Sequence, residues 1–114
     1  MNIIYHNPNW SKSRKSVEIL EKAEIKVTII QYLKDTPTID RIKDICTILG
    51  LRPKELVRKN EKIFKENNIK EFLENDNKLI EKMSQYPKII ERPIIIINNK
   101  GVIGRPPERI FEIL

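Results

Sequence analysis

Four isoleucines in a row, Ile94–Ile97, are followed at once by Asn98-Asn99-Lys100-Gly101 and then by Val102-Ile103. So short and so β-branched a run offers water no polar face, and as a strand it has to be buried on both sides. Asn98-Asn99-Lys100-Gly101 reads as a hairpin turn that brings Val102-Ile103 back as an antiparallel neighbour. A chain of 114 residues can bury one core of this kind and is too short for two independent ones. One domain over residues 1–114 is expected.

Residues 2–32 read as β-α-β. Asn2–Tyr5 is a β-branched run ending in a polar turn, and Val17, Ile19, Leu20 and Ala23 recur at helical spacing from Ser11 to about residue 24. The stretch KVTIIQYL, residues 26–33, reads as a second strand, and Thr36-Pro37-Thr38 as a turn that holds a helix cap. The middle of the chain, about 38–87, is helical. Ile39, Ile42, Ile45, Cys46 and Leu49 share one face of a helix stopped by Gly50, and Pro53 opens a short helix over 52–57. Ile63-Phe64 mark a third piece, interrupted at Asn67-Asn68, and Leu79, Ile80 and Met83 form the inward face of a helix that stops at Pro87. Residues 93–114 complete the chain as β-β-α, with a proline-started helix carrying Ile110, Phe111 and Leu114. This order describes a thioredoxin-like α/β fold with a helical insertion. Crossover handedness makes its first two strands parallel and its last hairpin antiparallel.

No apolar run approaches the roughly 20 residues a membrane helix needs, and no export signal precedes the first strand, so a cytoplasmic protein without a membrane partner is expected. Cys46 is the only cysteine, which rules out an internal disulfide. The net charge is +6, but Lys and Arg are interleaved with Glu and Asp, and aromatics at 6% form no base-stacking series. A solvated mixed-charge surface fits this pattern better than a nucleic-acid site. No Cys/His/carboxylate cluster has metal-ligand spacing, and there is neither a phosphate loop nor a Ser-His-Asp set.

The residues able to carry chemistry gather around the first loop, Tyr5-His6-Asn7-Pro8-Asn9-Trp10-Ser11-Lys12-Ser13-Arg14. It runs from a strand into a helix N-terminus, where unpaired N–H groups and the helix dipole favour an anion or a thiolate. At its centre stands Trp10, which can neither attack an electrophile nor carry a negative charge. Three arginines lie at element boundaries: Arg58, Arg92 before Pro93, and Arg105 before Pro106. Planar guanidinium groups suit tetrahedral oxyanions, though arginines at such places are also ordinary surface cations. Pro93, entering a buried strand, is a cis-proline candidate set against the commoner trans form. His6 reads either as a general base or as a structural imidazole bonded to the loop backbone. Cys46, on an apolar helical face, reads as a buried and inert thiol.

Taken together, YHNPNWSKSR, LVRKNE, IIERPIII and IGRPPERIFEIL resemble the glutaredoxin-linked arsenate reductase family (ArsC-like, related to the Spx-type regulators) from about residue 2 to the C-terminus. The resemblance implies a thioredoxin-like fold with a helical insertion. It also implies an active site of one cysteine in an HNP-x-C loop and three arginines that hold arsenate. Arg58, Arg92 and Arg105 match the arginines, His6 matches the loop histidine, Ser11 joins the oxyanion-binding loop, and Trp10 falls on the nucleophile. In the family the cysteine attacks arsenate, glutathione joins the adduct and glutaredoxin completes the reduction. The resemblance implies no bound cofactor, with glutathione and glutaredoxin as reductant if the protein is active. With Trp10 in place of the thiol, that cycle is expected to be absent or impaired. The implied ligand is then a small oxyanion, arsenate, phosphate or sulfate. The alternatives are a non-catalytic oxyanion-binding protein and a protein-binding regulator of the Spx type, with RNA polymerase as partner. The redox switch of those regulators pairs two cysteines at positions that are Trp10 and Ser13 here.

Overall fold

The computed structural model describes residues 2–114. It divides into two compact units, residues up to Asp35 together with Arg92–Leu114, and the insertion Thr36–Glu91.

The first unit contains the sheet. Its strands are β1 (Ile3–His6), β2 (Thr28–Gln31), β3 (Ile94–Ile97) and β4 (Lys100–Ile103), in the order β2-β1-β3-β4. β1 and β2 are parallel, joined through helix α1 (Ser11–Lys22), while β1/β3 and β3/β4 are antiparallel. All four isoleucines of β3 are buried, as a central strand requires. Ile95 and Ile97 point with Ile4 and Val102 into a core that also takes in Leu20, Ile110 and Ile113.

Three local readings of this unit are corrected. The hairpin turns on Asn98-Asn99 alone, both in the left-handed region at φ 49° and 64°, and Lys100-Gly101 already belongs to β4. Two consecutive asparagines at positive φ are what a two-residue turn matching strand twist asks for. The C-terminal segment Pro107–Ile113 is a 3-10 helix, so its inward residues recur every third position: Ile110 and Ile113 are buried, whereas Phe111 and Leu114 face outward. In α1 the buried residues are Ser13, Ser16 and Leu20, while Ala23 is the exposed C-cap. Ser16 packs against Gly104 so closely that a Cβ there would sit 2.9 Å from the Ser16 Oγ.

The second unit is helical: α2 (Ile39–Leu49), α3 (Lys62–Glu66) and α4 (Asp76–Gln85), with 3-10 turns at Pro53–Leu56, Ile69–Phe72 and Pro87–Ile89. Thr38 caps α2 by accepting from the Arg41 N–H, and Gly50 ends it in the left-handed conformation at φ 67°. Ile42, Ile45 and Cys46 of α2 and Leu79, Ile80 and Met83 of α4 are buried. Ile39 and Leu49, expected on the inward face, lie at the helix ends, where Ile39 is exposed and Leu49 half-buried. The short helix expected over 52–57 is a single 3-10 turn, after which Val57 bridges to Ile90.

Candidate functional site

The strand register gathers one set of residues at one end of the sheet. His6 ends β1 opposite Gln31 of β2, and Tyr5 pairs with Ile94 at the start of β3, which in turn pairs with Ile103 at the end of β4. The loop after β1, Tyr32 after β2, Arg92 before β3 and Arg105 after β4 therefore share that end. The Gly104 N–H donates to the Pro93 carbonyl at 2.8 Å, just beyond the Ile94–Ile103 pair, so Arg92 and Arg105 each flank this end of the hairpin. The Arg92-Pro93 and Arg105-Pro106 peptide bonds are both cis.

The loop itself is built by its own polar groups. The Asn9 N–H donates to the Asn7 Oδ1 at 3.1 Å and the Trp10 N–H to the Asn7 carbonyl at 3.0 Å, a turn closed by an asparagine side chain. The Arg14 guanidinium donates to the Pro8 carbonyl at 2.9 Å. Trp10 is the N-cap of α1 and supplies no capping side-chain hydrogen bond, and no acidic residue sits in the first turn. The N-terminal end of α1 thus keeps its positive dipole uncompensated by a side-chain acceptor. Ser11 is exposed at this first turn.

The half-buried indole of Trp10 lies on Arg92, whose guanidinium carbon is 3.8 Å from the ring centroid. Arg92 is itself only 2% exposed. Its Nη1 donates to the Tyr32 hydroxyl at 3.3 Å, a long hydrogen bond just beyond the usual range of about 2.7–3.2 Å. Stacking engages the face of the guanidinium and hydrogen bonding its edge, so the two contacts do not compete. Arg105 is half-buried.

His6 is buried, and its Nδ1 has no hydrogen-bond partner among the described residues. Burial, and then the charge of Arg14, lowers its pKa from the ordinary 6.5, so the imidazole is neutral at pH 7. Arg58 belongs to the insertion, where its Nε meets the Glu61 carboxylate at 3.2 Å and a terminal nitrogen meets Glu91 at 3.6 Å. An oxyanion at Arg58 would compete with these two carboxylates. Cys46 is buried on α2, and its thiol is pushed up to about 11, first by burial and then by the charge of Asp76. That keeps it protonated and inert.

Tyr32 is not legible as a site residue in the sequence, where it falls within the strand expected over residues 26–33. The available signal was an aromatic with a polar tip directly after an edge strand. Among the described residues no group of His, Cys, Asp and Glu side chains could hold a metal ion. No helix among them is long and apolar enough to cross a membrane. Two shallow depressions lie elsewhere. One borders Cys46, Arg52 and Asp76 on the insertion, and the other borders Asn2, Lys26 and Asn98 at the opposite end of the sheet.

Residues 5–113 match the ArsC family. The chain belongs to that family. Among similar proteins, the Escherichia coli protein YfgD is 38% identical over 112 residues, covering 97% of this chain and 94% of YfgD. An arsenate reductase of Haemophilus influenzae is 35% identical over 113 residues, 98% of this chain and 97% of the relative. The solved structure of an arsenate reductase from Vibrio cholerae superimposes with a TM-score of 0.94 at 38% identity, covering 99% of this chain and 97% of that one. This ArsC protein accordingly has the thioredoxin-like α/β fold of its structural neighbours.

Proposed function

We propose that this ArsC-family chain binds a small tetrahedral oxyanion, arsenate or its analogues phosphate and sulfate, but does not carry out the covalent reduction of arsenate. One observation carries this reading: an indole, stacked on a buried arginine, stands at the helix N-terminus where the resemblance places the nucleophilic thiol. The cycle begins when a thiolate sulfur donates its lone pair to arsenic and an arsenate oxygen departs as water or hydroxide. The indole nitrogen lone pair is delocalised into its ring and cannot take that role. Cys46 is no substitute, being buried on another element with a thiol that stays protonated.

The anion-binding half of the site does not need the thiol. The uncapped start of α1, the edge of Arg92 and the guanidinium of Arg105 at the same end of the sheet each favour negative charge. The matched arginine of the insertion, Arg58, keeps its own two carboxylates as partners, so Arg92 and Arg105 carry this reading. Glutathione and glutaredoxin become relevant only once a thiol stands at position 10. A cytoplasmic setting agrees with a single buried cysteine.

The test is glutaredoxin-coupled arsenate reduction, with glutathione, by this chain and by Trp10→Cys. The chain with Trp10 should run at the rate of the coupling system alone, and Trp10→Cys should exceed it. Turnover by the chain with Trp10 above that background would overturn the proposal.

A further inference from the structure

Tyr32 is 1% exposed although the strand it follows is the poorly buried edge of the sheet, with Thr28 and Ile29 open to solvent. Packing alone explains a phenyl ring at this place and leaves the hydroxyl unaccounted for. Burying a phenol or a guanidinium is costly unless its polar atoms are hydrogen-bonded, and here the two meet, the Arg92 Nη1 donating to the Tyr32 hydroxyl at 3.3 Å. The contact joins residues 60 positions apart in sequence, one following β2 and the other preceding β3.

We propose that Tyr32 is a positioning residue for Arg92, fixing the direction of the guanidinium edge at the oxyanion site. The proposal rests on the reading of Arg92 as an oxyanion-binding residue. Two restraints of different kind act on one planar group. The Trp10 ring lies across its face and limits its tilt, while the Tyr32 hydroxyl holds an edge nitrogen and limits its rotation within the plane. Paired hydrogen bonds to a tetrahedral anion depend on that in-plane direction, because both donors must meet two oxygens at once. Tyr32 acts through Arg92 and need not touch the anion.

Tyr32→Phe removes one oxygen and keeps the ring. Two readouts separate positioning from a merely structural role. Without any ligand, the fluorescence and near-ultraviolet circular dichroism of Trp10 should change in Tyr32→Phe in the same sense as in Arg92→Ala. The double variant should match Arg92→Ala alone. With sulfate as probe, calorimetry should show the dissociation constant raised about threefold to tenfold by Tyr32→Phe, as expected for loss of one hydrogen bond. A structural role would lower the melting temperature and leave both readouts unmoved. A Trp10 signal that responds to Arg92→Ala and not to Tyr32→Phe, or effects that simply add in the double variant, would overturn the proposal. If the unsubstituted chain shows no binding of sulfate, the oxyanion reading fails while the ligand-free comparison still decides the role of Tyr32. Should Tyr32→Phe not fold, nitrogen NMR of the intact chain decides instead. Separate Nη resonances for Arg92 would mark a guanidinium held against rotation, and one averaged resonance would contradict it.

Discussion

The guanidinium carbon of Arg92 lies 3.8 Å from the centre of the Trp10 ring, so the only tryptophan of the chain covers a cation that is 2% exposed. A desolvated contact of this kind contributes about 2 kcal/mol. Trp10→Ala should therefore lower the unfolding free energy by about 1–3 kcal/mol once the lost aromatic packing is included. Trp10→Phe, which keeps a smaller ring, should cost less. Urea unfolding of the three chains measures both differences, and an unchanged midpoint in Trp10→Ala would mean the stack contributes nothing.

Gly104, directly after β4, packs against Ser16 of α1. A methyl group there would lie 2.7 Å from the Ile95 Cδ1, 2.9 Å from the Ser16 Oγ and 3.0 Å from the Pro93 Cγ, closer than real atoms settle. Gly104→Ala is expected to destabilise the fold by about 1–3 kcal/mol through overpacking. Paired with Ser16→Gly, which removes one of the three obstacles, it should cost less than the sum of the two single changes. Strict additivity in thermal unfolding would place the strain elsewhere.

Elements with a strong local signature were legible in the sequence: the buried isoleucine strand, the Thr38 cap, the Gly50 stop and the parallel and antiparallel pairings that followed from them. What escaped was set by tertiary approach. Ser16 is buried against Gly104, and Ser13 is buried beneath the first loop, where its Oγ accepts from the Asn7 N–H, and no periodicity of apolar residues shows either. Reading the last segment at the α-helical period placed Phe111 and Leu114 inward, and the 3-10 period of three reversed them in favour of Ile110 and Ile113. Arg92 and Trp10 were both singled out from the loop and the strand boundary. Their stacking, and the hydroxyl of Tyr32 beside them, depends on side-chain directions that residue spacing does not encode.

Cys46 should resist alkylation. Burial and the charge of Asp76 raise its thiol from 9.0 to about 11, which lowers the thiolate fraction near pH 8 on the order of 100-fold. The native protein should react with iodoacetamide at least that much more slowly than the urea-unfolded chain. Equal rates would show the thiol to be exposed.

The buried imidazole of His6 predicts a pH effect of definite sign. Its folded pKa is lowered by burial and by Arg14, so on acidification the unfolded chain takes up a proton near 6.5 before the folded one does. Stability attributable to His6 is full above about pH 6.5 and declines as the pH falls from there through the folded value. In His6→Gln the decline between pH 6.5 and about 5 should be shallower, since carboxylates titrate mostly below that window. Unfolding midpoints across this range check it, and equal slopes in the two proteins would show that His6 is solvated.

The central claim is that an oxyanion binds beside Trp10 through Arg92 without any thiol, and its most direct measurement is the intrinsic fluorescence of Trp10 during titration with arsenate. Because Trp10 is the only tryptophan, a signal can arise at no other indole. The expected result is a saturable change, reproduced with sulfate, accompanied by a heat of binding in calorimetry and lost in Arg92→Ala. A flat fluorescence trace together with no heat of binding would contradict it.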